Sequence, residues 1–157
     1  MPSRRTLIEM DDAQRKEYIN NAQTLIIVSN GRNGFPHPMP MWFGVDDDES
    51  LLCTTFEKSQ KVLNWRRDPK ASLLIESGTQ YSELQGVVIY AQTEVIDQPE
   101  LVVDTLIKIN SRGRDLTDSQ AANLRKSVQG TAQKRVALRF VPVRYITWDH
   151  HKLGGRY

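Results

Sequence analysis

A chain of 157 residues with 39% hydrophobic and 25% charged content can bury one core and shows no bulk disorder, so a single domain over residues 1–157 is expected. Its net formal charge of +2 is too small to argue for a nucleic-acid partner, and its one cysteine cannot found a disulfide framework. The N-terminus is polar and no apolar run approaches the roughly 18 residues of a membrane span, which predicts a soluble cytoplasmic protein with no membrane partner.

Along the chain, Asp11 or Asp12 can cap a short helix running to about residue 20. Residues 24–29 (TLIIVS) form a buried strand by their β-branched content, and Asn30-Gly31 with Asn33-Gly34 marks a tight reversal. The segment PHPMPMWF, residues 36–43, follows as an extended strand. Its alternate prolines place carbonyls without donors along one edge, while His37, Met39 and Met41 keep N–H groups for a neighbour on the other. Such a strand either closes the edge of a sheet or lines a ligand. The acidic run Asp46-Asp47-Asp48-Glu49 is a turn, without the glycine and glutamate offsets of a calcium loop, and predicts three successive antiparallel strands.

Residues 51–56 (LLCTTF) make the next strand, with Cys53 as a buried thiol suited to a reducing compartment. Ser59 caps a helix to about residue 67, which Asp68-Pro69 stops. Strands over 71–76 and 87–95 pair across a polar loop that begins at Ser77-Gly78. Asp97-Gln98-Pro99-Glu100 then reads as a capping box before a helix over 101–110. A second helix runs from about 118 to Gly130, and Val136, Leu138 and Phe140 face inward on a last, long strand. Six strands with peripheral helices predict closure into a small antiparallel barrel, a mainly β fold.

The chemistry concentrates between residues 54 and 61. A helix N-terminus offers free N–H groups and the positive end of a dipole; Thr54, Thr55 and Ser59 can donate hydroxyl hydrogen bonds, and Lys58 and Lys61 bring charge. A glycine-rich triphosphate loop is missing, so a monophosphate or the phosphodiester of a flavin-like cofactor is the expected anion. The alternative is a capped surface helix with solvated lysines. Arg66, Arg67, Arg112 and Arg114 read mainly as solvated charge, and Trp42 and Trp148 suit a pocket wall, the core or a subunit interface equally. His150 and His151 are adjacent and His37 is distant, so no metal site is expected.

Taken in order, Gly34 with the strand through Phe43, Thr55-x-x-x-Ser59-x-Lys61-Val62-x-Asn64, and Arg67-Asp68-Pro69 resemble the pyridoxamine 5'-phosphate oxidase-like split-barrel flavoproteins. Glu76-x-Gly78-x-x-Tyr81-x-x-Leu84-x-Gly86-Val87 and the tail Trp148-Asp149-His150-x-Lys152-Leu153-Gly154-Gly155 look like their flavin/deazaflavin oxidoreductase subgroup. The likeness spans about residues 10 to 157. It implies a six-stranded antiparallel Greek-key split barrel binding FMN or an 8-hydroxy-5-deazaflavin coenzyme. It further implies that Met39, Pro40, Met41 and Trp42 run along the ring, largely through backbone, and that Thr54, Thr55, Lys58, Ser59 and Lys61 hold the phosphate end. Similar proteins are homodimers with the cofactor at the subunit interface, so Trp148 and the tail are expected to complete a partner's pocket. The chain stops at Tyr157 without the family oxidases' C-terminal arginine and histidine segment, so vitamin B6 oxidation is not expected.

The expected activity is hydride transfer between the cofactor and a small unsaturated organic substrate, with Tyr81 as the substrate-side candidate. Basic groups beyond the phosphate, such as Arg4, Arg5 or Arg66, would suit the anionic oligoglutamate tail of a deazaflavin. A non-catalytic carrier of a flavin, deazaflavin or tetrapyrrole is the alternative. A nucleic-acid barrel has only Lys58, Lys61, Arg66 and Arg67 in its favour.

Overall fold

In the computed structural model, which describes residues 3–155, helix starts follow the caps written in the sequence. After a five-residue helix α1 (Arg4–Ile8), Asp11 accepts from the Gln14 amide at 2.8 Å while the Gln14 side chain returns the bond, and this box opens α2 (Asp12–Asn21). Thr117 and Gln120 repeat the device at α5 (Asp118–Ala132). At α4 (Pro99–Ser111) the expected box does not form. Gln98 holds the N-cap without a side-chain bond, Pro99 supplies the fixed φ of a first helical residue, and Asp97 pairs with Arg66 at 2.8 Å instead.

The strands are β1 (Thr24–Asn30), β2 (Pro36–Trp42), β3 (Gly44–Val45), β4 (Leu51–Phe56), β5 (Lys70–Ser77), β6 (Gln85–Ile96) and β7 (Arg135–Asp149), with α3 (Gln60–Arg67) between β4 and β5. All pair antiparallel in one curled sheet of order β2-β1-β5-β6-β7-β4-β3, a mainly β split barrel with helices at its periphery. There are seven strands rather than six, the extra one being the two-residue β3. The expected run of three successive paired strands is also interrupted. Phe43, 2% exposed, turns its ring into the core just after β2, and the chain leaves that edge to rejoin the sheet at β3 on the other side.

Period-two alternation decides what lies inside. Leu25 and Ile27, Leu73 and Ile75, Val87 and Ile89, and Val136, Leu138 and Phe140 are all buried, and Val62 and Trp65 of α3 pack onto them. Trp65 meets Phe140 edge-on at 5.2 Å and 73°. Each such side chain stabilises the fold by roughly 1.5–3 kcal/mol on burial, so α3 is held by its apolar face rather than by its cap. Ala137, on the opposite face of β7, joins Val102, Leu106 and Val128 of α4 and α5 in a second cluster, so β7 is buried on both faces where it meets β4. Farther along, the β6–β7 register shifts between Tyr90 and Ala91, leaving the exposed Val143 unpaired beside Pro142, which has no N–H for the ladder. No helix among the described residues is long and apolar enough to cross a membrane.

Candidate functional site

β4 delivers the chain directly into α3, and Ser59 stands at the N-cap in extended backbone. Its hydroxyl makes no cap bond and lies 3.4 Å from the Thr55 hydroxyl. The first amides of α3 therefore have no side-chain acceptor among the described residues, the arrangement that favours an anion. Thr54 and Thr55 are both buried, but successive strand residues point to opposite faces, so the two expected hydroxyls part company. Thr55 turns to Ser59. Thr54 turns to an arginine that sequence reasoning did not single out.

That residue is Arg135, the first of β7. Its guanidinium donates from Nη1 to the Thr54 carbonyl at 3.3 Å and to the Thr54 hydroxyl at 3.4 Å, and it stacks 4.6 Å over the ring of Phe56, its cross-strand partner. Its Nε is buried without an acceptor. Lys61, in the first turn of α3, is only 8% exposed, and its ammonium has no hydrogen bond or ion pair among the described residues. Burial lowers the Lys61 pKa; the facing Cys53 works the other way, and the charge of Arg135 adds to the lowering. Two cations within electrostatic reach of one another, one unpaired and one with an orphaned donor, fit a phosphate-sized anion. Lys58 is exposed beside them. Cys53 is fully buried and burial pushes its thiol up, which makes it an inert core residue.

Among the described residues, β2 forms the free edge of the sheet with β1 as its only neighbour. Its prolines stand opposite Ile26, Val28 and Asn30 and have no N–H to give, so the ladder runs through His37, Met39 and Met41 and proline carbonyls are left along the outer edge. Met41 packs on the core, Met39 is 36% exposed, Pro40 is exposed, and Trp42 is 65% exposed. Between the start of β2, the hairpin loop after β1 and α3 lies a cleft of about 730 Å³ lined by His37, Gln60, Leu63, Asn64 and Arg67 among others. Asn64, buried and bonded to the Ser29 hydroxyl at 2.9 Å and to the Gln60 amide at 3.0 Å, ties α3 to β1 behind it.

The remaining candidates sit elsewhere. Trp148 is half-buried across the strands from Gly86, where a Cβ would come within 2.0 Å of the indole. Tyr81 lies in a one-turn helix, Tyr81–Glu83, with its ring 4.4 Å from that of His150; it lines a different cleft from the one beside α3. His151 stands 2.8 Å from Asp149 and His150 2.7 Å from the Tyr81 carbonyl, both in the one-turn helix His150–Leu153 rather than in an extended tail. Arg66 is paired with Asp97, Arg67 donates to the Asn30 carbonyl, and Arg112 donates to the carbonyls of Ala22, Gln23 and Phe43, which makes all three structural.

The family model described as pyridoxamine 5'-phosphate oxidase matches residues 11–149. Among solved structures, a conserved hypothetical protein from Mycobacterium tuberculosis is 33% identical with a TM-score of 0.87, the match covering 98% of this chain and 93% of that one. An F420 reductase is 19% identical with a TM-score of 0.60 over 83% of this chain and 94% of its own. HutZ, the heme storage protein from Vibrio cholerae, is 13% identical with a TM-score of 0.64 over 88% and 96%. No curated protein sequence matches the chain.

Proposed function

The chain belongs to the pyridoxamine 5'-phosphate oxidase family, and we propose that within it the protein is a cytoplasmic oxidoreductase that binds FMN or an 8-hydroxy-5-deazaflavin coenzyme. The observation that carries this reading is Lys61 in the first turn of α3, a side chain 8% exposed whose ammonium is unpaired among the described residues, beside helix amides without a side-chain acceptor and within electrostatic reach of Arg135. A cofactor phosphate pairs with that ammonium and accepts from those amides, and the Arg135 charge adds to the attraction. Thr55, Ser59 and the exposed Lys58 supply further donors, and Thr54 holds Arg135 in place. The outer edge of β2 along its three prolines accepts hydrogen bonds from ring N–H groups, and Met39 on one face of the strand and Trp42 on the other offer apolar contact. When bound, such a cofactor supplies hydride transfer to or from a small unsaturated organic substrate.

Two copies of the chain complete the site in this reading. Ile26, Leu74, Val88 and Ile146 stand side by side across four strands on the face turned away from the core, half-buried in the single chain, with Pro40 at one end of the row and Trp148 two residues beyond the other. A second copy seated on that row brings Trp148 against its neighbour's cofactor.

The test is a pair of titrations on the apo-protein, with FMN and with riboflavin, which lacks the phosphate. Lys61→Ala is expected to weaken FMN by roughly 10- to 150-fold, the loss of one charge-assisted bond, and to leave riboflavin unchanged. Equal FMN affinity in the variant overturns the phosphate assignment. A parallel titration with the deazaflavin coenzyme then names the cofactor. The fold shared with a heme storage protein favours a second reading, a carrier that binds without turnover, and steady-state assays with reduced cofactor separate the two.

A further inference from the structure

At the end of the sheet away from the β1–β2 hairpin, where β5 ends and β7 runs into the one-turn helix His150–Leu153, a second cleft of about 740 Å³ opens under α1. It shares no lining residue with the cleft beside α3. Its size is that of a small-molecule site. Leu7, Ile8 and Leu153 supply apolar wall, and the stacked rings of Tyr81 and His150 supply a flat one. That stack is fixed: His150 is 9% exposed and its Nδ1 meets the Tyr81 carbonyl at 2.7 Å.

The charge of the lining is one-sided. Arg4, Arg5 and Lys152 line the cleft, and among the described residues no carboxylate does. Neither arginine has a side-chain acceptor among the described residues. Lys152 is held at 2.5 Å by the Glu9 carbonyl and at 2.7 Å by the Gln14 amide oxygen, both neutral, so its position is fixed while its charge is uncompensated and one of its three donors is left over. The nearby Asp149 carboxylate is engaged by the amide and ring of His151 at 3.0 and 2.8 Å. A cleft that combines flat and apolar walls with three unneutralised cations selects an organic acid.

We propose that this cleft is a carboxylate subsite, in which Arg4, Arg5 and Lys152 hold the acid group of a ligand whose apolar body lies on Leu7, Ile8, Leu153 and the Tyr81–His150 stack. Within one chain the subsite shares no lining residue with the cleft beside α3, so it is tested on full-length protein without flavin. Calorimetric titration at low salt uses 2-naphthoate as probe and 2-acetonaphthone as its neutral counterpart. The acid is expected to bind more tightly than the ketone, to weaken by at least about fivefold in the Arg4→Ala/Arg5→Ala variant, and to recover in Arg4→Lys/Arg5→Lys. Lys61→Ala, which weakens FMN, is expected to leave the naphthoate titration unchanged. Equal binding of acid and ketone, an unchanged titration in the double alanine variant, or an equal loss in Lys61→Ala overturns the proposal. Competition by γ-linked triglutamate identifies the acid as part of an oligoanionic tail; its failure to compete while naphthoate binds identifies a free organic acid.

Discussion

At the scale of single residues, Lys61 carries a signature in pH. Burial holds its pKa below the ordinary 10.5, and the nearby charge of Arg135 adds to the lowering. A base with a depressed native pKa binds fewer protons folded than unfolded, so its contribution to stability rises with pH between the native value and 10.5. A bound phosphate reverses the penalty by favouring the ammonium. FMN affinity is therefore expected to fall as pH rises through the depressed Lys61 pKa, with proton uptake on binding in that window, and Lys61→Arg should flatten the profile. Calorimetry in buffers of different ionisation enthalpy measures the uptake; a pH-independent affinity up to 10.5 would rule this origin out. Ser59 and Lys61 were legible in the sequence because they are local, a cap and a first-turn cation. Arg135 was not. It reaches the site through strand pairing with Phe56, and the only signal available was a basic residue at the head of an apolar strand. The split between Thr54 and Thr55 was available from period-two alternation alone, since neighbours on a strand cannot serve one face.

At the scale of elements, the contact between β6 and β7 at Gly86 and Trp148 sets a tight limit. A methyl group at position 86 would overlap the indole, so Gly86→Ala is expected to displace Trp148 and to cost about 1–3 kcal/mol. Denaturant unfolding followed by tryptophan fluorescence measures the cost, and Trp148→Ala in the same chain should recover part of it through coupling between the two sites. Elements themselves were readable wherever the decisive chemistry is local. The Asp11 cap, the stop at Asp68-Pro69 and the inward set of β7 all stand as expected. Gln98 shows the converse: a box motif was present, yet an ion pair with Arg66 on another helix competed for Asp97. Which strands neighbour one another was less legible, because Phe43 chooses the core over continuing the sheet and so separates β2 from β4.

At the scale of the whole molecule, the row Ile26–Leu74–Val88–Ile146 decides assembly in the proposed reading. Leu74→Arg sets a charge in the middle of that face without touching the core side of β5, where Leu73 and Ile75 lie. Analytical ultracentrifugation is expected to show a dimer for the parent chain and a monomer for the variant, with cofactor affinity lost in step; a variant that stays dimeric would place the interface elsewhere.

The pairing of β4 with β7 joins Leu51 to Phe140, so the strand that carries Thr54 and Thr55 finds its neighbour only when nearly the whole chain is available. Closing so long a loop is slow and entropically costly, and it falls late in folding. The proposed anion site inherits that schedule, because Lys61 belongs to the early segment and Arg135 to the late one. In the proposed reading, a ribosome-bound chain presents half a phosphate cradle until β7 emerges, and cofactor is expected to stabilise the finished barrel by mass action without templating its assembly.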